Sequence, residues 1–174
     1  MSALPPVRSI APTDLPDNFF SRIGEDWMLI TAENPLGEAN TMTASWGCAG
    51  ILWNKPVAVC FIRPQRYTYG IVEDADTLSL SFFPAGAHRD ALRYCGTQSG
   101  RDGDKFAATG LTLAHAENGT PYVSEANLVL VCRKLYADDL KKGCFIDPAM
   151  LKHYPADDFH RFYISEITEV LVRD

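Results

Sequence analysis

With 174 residues, 47% of them hydrophobic, the chain has the size of one domain and enough apolar surface for a sizeable core. Its net charge of −6 repels polyanions, which argues against duplex DNA or RNA as a partner. Residues 1–8 lack the apolar centre of a signal peptide and no run approaches about 18 apolar residues, so the expectation is a cytoplasmic protein with no membrane span.

Residues 1–16 carry four prolines, Pro5, Pro6, Pro12 and Pro16, and read as an extended arm lying on something else rather than a folded element. Residues 14–23 predict a short helix with Pro16 in its first turn and Gly24 ending it. A strand-like run over 27–32 leads into the turn-forming 33–38. The stretch Asn40-Thr41-Met42-Thr43-Ala44-Ser45-Trp46-Gly47 follows. Lying between strands, its small residues Thr43, Ala44 and Ser45 leave peptide groups uncovered, which suits a planar heterocycle with many hydrogen-bonding sites. Met42 reads as core. A second apolar run covers 57–62.

Residues 77–83 alternate, with Leu78, Leu80 and Phe82 on one face and serines on the other, so one face packs and the other is wet or lines a site. Residues 111–116 and 121–123 predict a hairpin around Asn118-Gly119. The longest strand candidates are 128–136 and 160–172. Helical stretches at 67–73, 88–95 and 148–153 are short and lie in connections. Six or more strands with helices only at the crossings point to a closed or half-closed β-barrel.

Arg63 and Arg66 stand after an apolar strand and before the helix that begins near Tyr67-Thr68. A helix N-terminus with a hydroxyl and two guanidinium forks can hold a phosphate monoester, and the same residues also suit a solvated turn that caps a helix. The loop Ser99-Gly100-Arg101-Asp102-Gly103-Asp104-Lys105 reads either as a second polar contact or as an ordinary surface loop. The five cysteines (48, 60, 95, 132, 144) include no Cys-x-x-Cys pair, which argues against a disulfide framework and a zinc knuckle. The four histidines show no metal-ligand spacing, so no metal site is expected. Cys95, without a neighbouring cysteine, reads as a packing residue. No Gly-x-Gly-x-x-Gly follows a strand, so any nicotinamide must bind transiently.

Taken together, the words at 40–47, Arg63-Pro64-Gln65-Arg66-Tyr67-Thr68 and Cys95-Gly96-Thr97-Gln98-Ser99-Gly100-Arg101-Asp102 with Asp104-Lys105 resemble the flavin reductase-like proteins with an FMN-binding split barrel, the flavoredoxin type. The resemblance runs from about Phe20 to Val172. It implies a mainly β fold, a split β-barrel of Greek-key type with a few short peripheral helices, with 1–19 as the arm and 20–174 as the barrel.

The resemblance also implies FMN as cofactor. Arg63, Arg66, Tyr67 and Thr68 would hold its phosphate, with Ser99, Gly100 and Lys105 near the ribityl phosphate end. Asn40, Thr43, Ala44, Ser45 and Trp46 would meet the isoalloxazine ring, where backbone N–H groups stabilise charge developing on reduction. His160 lies in Asp157-Asp158-Phe159-His160-Arg161-Phe162-Tyr163-Ile164-Ser165-Glu166-Ile167, similar to an Asp-His-x-x-x-x-Gly-Glu-Val stretch near the nicotinamide side of the flavin, and is the candidate catalytic residue. Phe159 and Ser165 depart from that pattern, the serine narrowing the pocket. The expected protein is a homodimer with the flavin at the subunit interface and the arm embracing the partner. It is expected to be an NAD(P)H-dependent flavin reductase, with NADH or NADPH as a transient ligand and a redox protein as a possible acceptor. The alternative is an FMN electron carrier without nicotinamide activity.

Overall fold

The computed structural model describes residues 4–173, so Met1, Ser2 and Ala3 of the expected arm and Asp174 of the expected barrel lie outside the described residues. The arm contains a folded element. Its first strand, β1 (Arg8–Ile10), pairs antiparallel with residues 170–172 of the last strand, so this part of the arm lies on its own chain. The helix expected over 14–23 is replaced by a turn at Pro12–Asp14 and by α1 (Phe19–Ser21), which Asn18 caps through Oδ1 to the Phe20 N–H. A wider helical turn, Arg22–Asp26, follows, so Gly24 sits inside the turn and does not end it.

The strands that follow build one antiparallel sheet. They are β2 (Met28–Glu33), β3 (Ala39–Ala44), β4 (Gly47–Leu52) and β5 (Lys55–Ile62), then, after α2 (Tyr67–Asp74), β6 (Thr77–Phe82). Next come α3 (Arg89–Thr97) and α4 (Lys105–Thr109), a small hairpin of β7 (Leu113–His115) and β8 (Pro121–Val123), and the long strands β9 (Leu128–Asp139) and β10 (Arg161–Val172). The order across the sheet is β3-β2-β6-β9-β10-β5-β4, with β1 added along β10. Its two outermost strands, β3 and β4, are consecutive in the chain and joined by Ser45-Trp46, yet they do not pair with each other. The barrel is split at that seam.

Two cores explain why several strands read as unbroken apolar runs. Met28, Ile30, Leu78, Leu80, Phe82, Leu128 and Leu130 point into the barrel. Leu29, Val129 and Val131 point out, against Leu92 and Cys95 of α3 and Tyr122 and Val123 of β8. Burial on both faces removes the usual alternation; each such side chain contributes about 1.5–3 kcal/mol. The serine face of β6 is therefore neither wet nor part of a site. Ser79 Oγ donates to the Pro121 carbonyl at 2.6 Å, and Ser81 Oγ accepts from the Val123 N–H at 3.3 Å, both beneath β8.

Strand β4 and helix α4 were not expected. β4 carries glycines and an exposed face, so its apolar signal is weak. Its hairpin with β5 turns on Trp53 and Asn54, both at positive φ (52° and 57°), a two-residue reversal without the glycine that usually marks one. At Gly47 a Cβ would stand 2.7 Å from the Val59 carbonyl oxygen, so the seam needs glycine there. The expected hairpin at 118–119 is present, with only Gly119 at positive φ (82°). Among the described residues no helix is long and apolar enough to cross a membrane.

Candidate functional site

The stretch 40–47 is not a bare loop between strands. Residues 40–44 belong to edge strand β3, in register with β2, and only Ser45 and Trp46 leave the ladder. Because β3 pairs on one side alone, its other edge is open where the seam lies. Beside it is a groove of about 190 Å³, lined by Thr43, Ala44, Ser45, Trp46, Arg63, Arg66 and His160 together with Met42 and Phe61. Seven of the residues expected at the site thus come together. Sharing Ser45 and Trp46 with the groove is an apolar cavity of about 590 Å³, walled by Phe19, Phe20, Ile23 and Cys48 among others.

The other expected residues hold the scaffold instead. Asn40 and Thr68 are buried and bonded to each other at 2.9 Å, tying β3 to the first turn of α2. Gly100 packs onto that joint; a Cβ there would come within 2.5 Å of the Tyr67 ring and 2.7 Å of Asn40. Tyr67 bonds the Glu38 carboxylate, and the Arg101 guanidinium lies 5.0 Å from the Tyr67 ring centre. Ser99 Oγ accepts from the Arg101 N–H at 3.2 Å. Lys105 begins α4, not a loop, and is only 3% exposed. Its Nζ donates to the carbonyls of Thr41 and Cys95 at 2.9 and 3.1 Å. None of these six lines the groove.

Electrostatics separates the two arginines. Arg63 is paired with Asp158, which also accepts from Gln65 at 2.8 Å, and it donates to the His153 carbonyl at 2.9 Å. Its charge is largely offset, and the same pairing holds the Asp158 carboxyl below the usual range. Arg66 has no carboxylate partner. Its guanidinium donates to the carbonyls of Gly96 and Cys95 at 2.6 and 3.0 Å, at the end of α3, where the helix dipole favours a cation. Burial lowers the pKa of Arg66, and burial, aided by Arg66, lowers that of Lys105 to about 8. Arg66 also precedes the first turn of α2, and its side chain does not cap the free N–H groups there. One end of the groove is therefore cationic and short of negative charge.

His160 marks the other end. Its ring centre is 5.0 Å from that of Trp46 and 6.4 Å from that of Phe61, and its Nδ1 is 2.9 Å from the Tyr154 hydroxyl. Burial, then the charge of Arg63, hold its pKa at about 4 against the opposing pull of Asp158. At neutral pH the imidazole is uncharged and has no acidic proton to supply. Ser165 does not narrow the groove: it is buried between β5 and β9, with its Oγ lacking a partner among the described residues. Cys95 is buried in the outer core, and its thiol pKa is raised by that burial.

Phe61 and Tyr154 were not foreseen. Phe61 was within reach, since the period of two that puts Cys60 and Ile62 inward puts Phe61 on the same face as Arg63. Tyr154 comes from the irregular segment between β9 and β10, where no periodicity points to it.

A family model described as flavin reductase like domain matches residues 20–174. No curated protein matches the chain. Among solved structures, an FMN-binding domain of a flavin reductases-like enzyme from Shewanella baltica OS155 is 17% identical, covering 99% of this chain and 80% of that one, with a TM-score of 0.70. Flavoredoxin of Desulfovibrio vulgaris (Miyazaki F) is 23% identical over 85% of this chain and 69% of its own, with a TM-score of 0.66. The NADH:FAD oxidoreductase SgcE6 of Streptomyces globisporus is 17% identical over 86% and 74%, with a TM-score of 0.63. These likenesses establish the fold as that of the FMN-binding split barrels.

Proposed function

The chain belongs to the flavin reductase-like family, and from that premise we propose that it binds FMN at the seam and acts as an NAD(P)H-dependent flavin reductase. The observation that carries the reading is the Arg66 guanidinium at one end of the groove, with the buried Lys105 ammonium donating to the same Cys95 carbonyl. Arg66 and Lys105 have no carboxylate partner among the described residues, and Arg66 immediately precedes the uncapped first turn of α2. A phosphate supplies the missing charge and accepts from the free N–H groups.

The ring system then lies along the open edge at 43–46, where Thr43 Oγ1 is tied back to the Leu92 carbonyl and fixes the strand end. FMN bound there would supply hydride acceptance and onward electron transfer. The chain's own residues would orient the ring and present backbone donors to it. Arg63, already paired, serves in this reading as a bracket between the groove and the 153–158 segment.

NADH or NADPH would bind transiently over the exposed face of the flavin, and a small molecule or a redox protein would take the electrons. A homodimer in the cytoplasm remains the proposed assembly and location, with residues 20–174 as the barrel unit. Because part of the arm lies on β10, the arm's role in embracing a partner loses its support.

The test is optical. Protein loaded with FMN should bleach within seconds of adding NADH or NADPH. Slow bleaching with ready chemical reduction would instead favour the second reading, an electron carrier without nicotinamide activity, which the likeness to a flavoredoxin supports. Protein that takes up no FMN would overturn both.

A further inference from the structure

Tyr154 and His160 form a unit that the flavin reading does not use. The phenol hydroxyl has one polar neighbour among the described residues, His160 Nδ1 at 2.9 Å. A phenol is a better donor than acceptor, and its proton has nowhere else to go, so the lone pair lies on Nδ1 and the imidazole proton on Nε2. That nitrogen has no protein partner among the described residues and is not sealed from solvent, while the ring itself lines the groove. Trp46 and Phe61 flank the ring, and the nearby charges, Arg63 and Asp158, are spent on each other. The result is a neutral donor with fixed tautomer beside a flat-walled groove.

We propose that Tyr154 is a positioning residue holding His160 as the Nε2–H tautomer, and that this N–H donates to a carbonyl oxygen of a planar conjugated ligand in the groove. A neutral donor suits a carbonyl better than a carboxylate, because no charge is available to offset an anion at that end. Two ligands offer this chemistry: the carbonyl of a flavin ring, and that of an aromatic aldehyde or quinone acting as acceptor. The inference rests on the flavin reading only for the first source.

The experiment follows the His160 ring nitrogens by long-range proton–nitrogen NMR in the uniformly labelled protein. A protonated Nε2 and an unprotonated Nδ1 are expected in the ligand-free chain, and Tyr154→Phe should give a mixture of tautomers in a still-folded protein. Titration of the ligand-free protein with FMN and, separately, with benzaldehyde, and of any FMN-loaded protein with benzaldehyde, separates the sources by which addition moves the Nε2–H signal. The dissociation constant of the responding ligand should rise roughly fivefold to tenfold in Tyr154→Phe and in His160→Leu. His160→Gln, which keeps an N–H donor that needs no tautomer control, should recover part of the loss seen in His160→Leu, a rescue that a purely space-filling role for His160 would not produce. A proton on Nδ1, or an Nε2 signal moved by neither ligand, would overturn the proposal. Binding of the responding ligand with no change in Tyr154→Phe would overturn it while leaving the flavin reading intact. A response to benzaldehyde in a protein that binds no FMN would do the reverse.

Discussion

The wall of β9 and β10 and the seam between β3 and β4 are opposite uses of the same sheet. On the wall, two strands of 12 residues pair along most of their length, and residues 128–132 of β9 are buried on both faces. At the seam, two strands of 6 residues leave their outer edges unpaired, and the side chains nearby are polar, aromatic or cationic. Burial dominates the apolar half of the wall, and ion pairs such as Arg133–Glu166 and Arg161–Asp139 lie along the rest. The seam depends on individual hydrogen bonds and on one or two glycines, so it can be altered chemically without loss of the barrel.

That difference can be pressed from the wall side first. Leu130→Ala should cost about 2–4 kcal/mol of stability, from lost transfer energy and the cavity left behind. The loss should appear as a lower midpoint in urea, and the folded fraction should retain its FMN affinity. If affinity fell in proportion, wall and seam would not be separable. Gly47→Ala presses from the other side. Its new Cβ meets the Val59 backbone oxygen, which cannot rotate away, so a cost of about 1–3 kcal/mol is expected, here with weakened FMN binding as well.

The smallest expected effect is a pH slope. In the folded protein His160 titrates at about 4, against an ordinary value of 6.5. Between those values the unfolded chain binds a proton that the folded chain does not, so stability falls as pH drops from 6.5 towards 4. His160→Gln should flatten that part of the profile relative to the wild type, as read by urea titrations at pH 4.5, 5.5 and 6.5 (roughly evenly spaced across the window). An identical slope in the two proteins would mean that the imidazole is solvated.

Much of the wall was legible in the sequence because apolar runs of this length leave few alternatives. The expectation for 77–83 failed only in assigning the serine face to water or to a site, since nothing local to Ser79 and Ser81 reveals that β8 will cover them. The seam was legible as a set of words but not as an arrangement. Asn40, Thr68 and Gly100 were expected to touch a ligand and instead lock together, because side chains small enough to admit a ligand are also small enough to let β3, α2 and the 99–101 turn meet. Arg63 and Arg66 look equivalent three residues apart. Their difference comes from Asp158, almost a hundred positions along the chain, and from the end of α3. Resemblance could place residues near a site, whereas their availability depended on partners that only the fold brings together.

The central claim is that the charge left unpaired at the seam holds the phosphate. Fluorescence titration of FMN against the wild type, Arg66→Ala and Arg63→Ala tests it most directly. The loss of about 1.5–3 kcal/mol expected for a charged hydrogen bond corresponds to roughly 10- to 100-fold weaker binding in Arg66→Ala, with a clearly smaller change in Arg63→Ala. Equal affinities in all three proteins, or a larger loss from Arg63→Ala, would contradict the account.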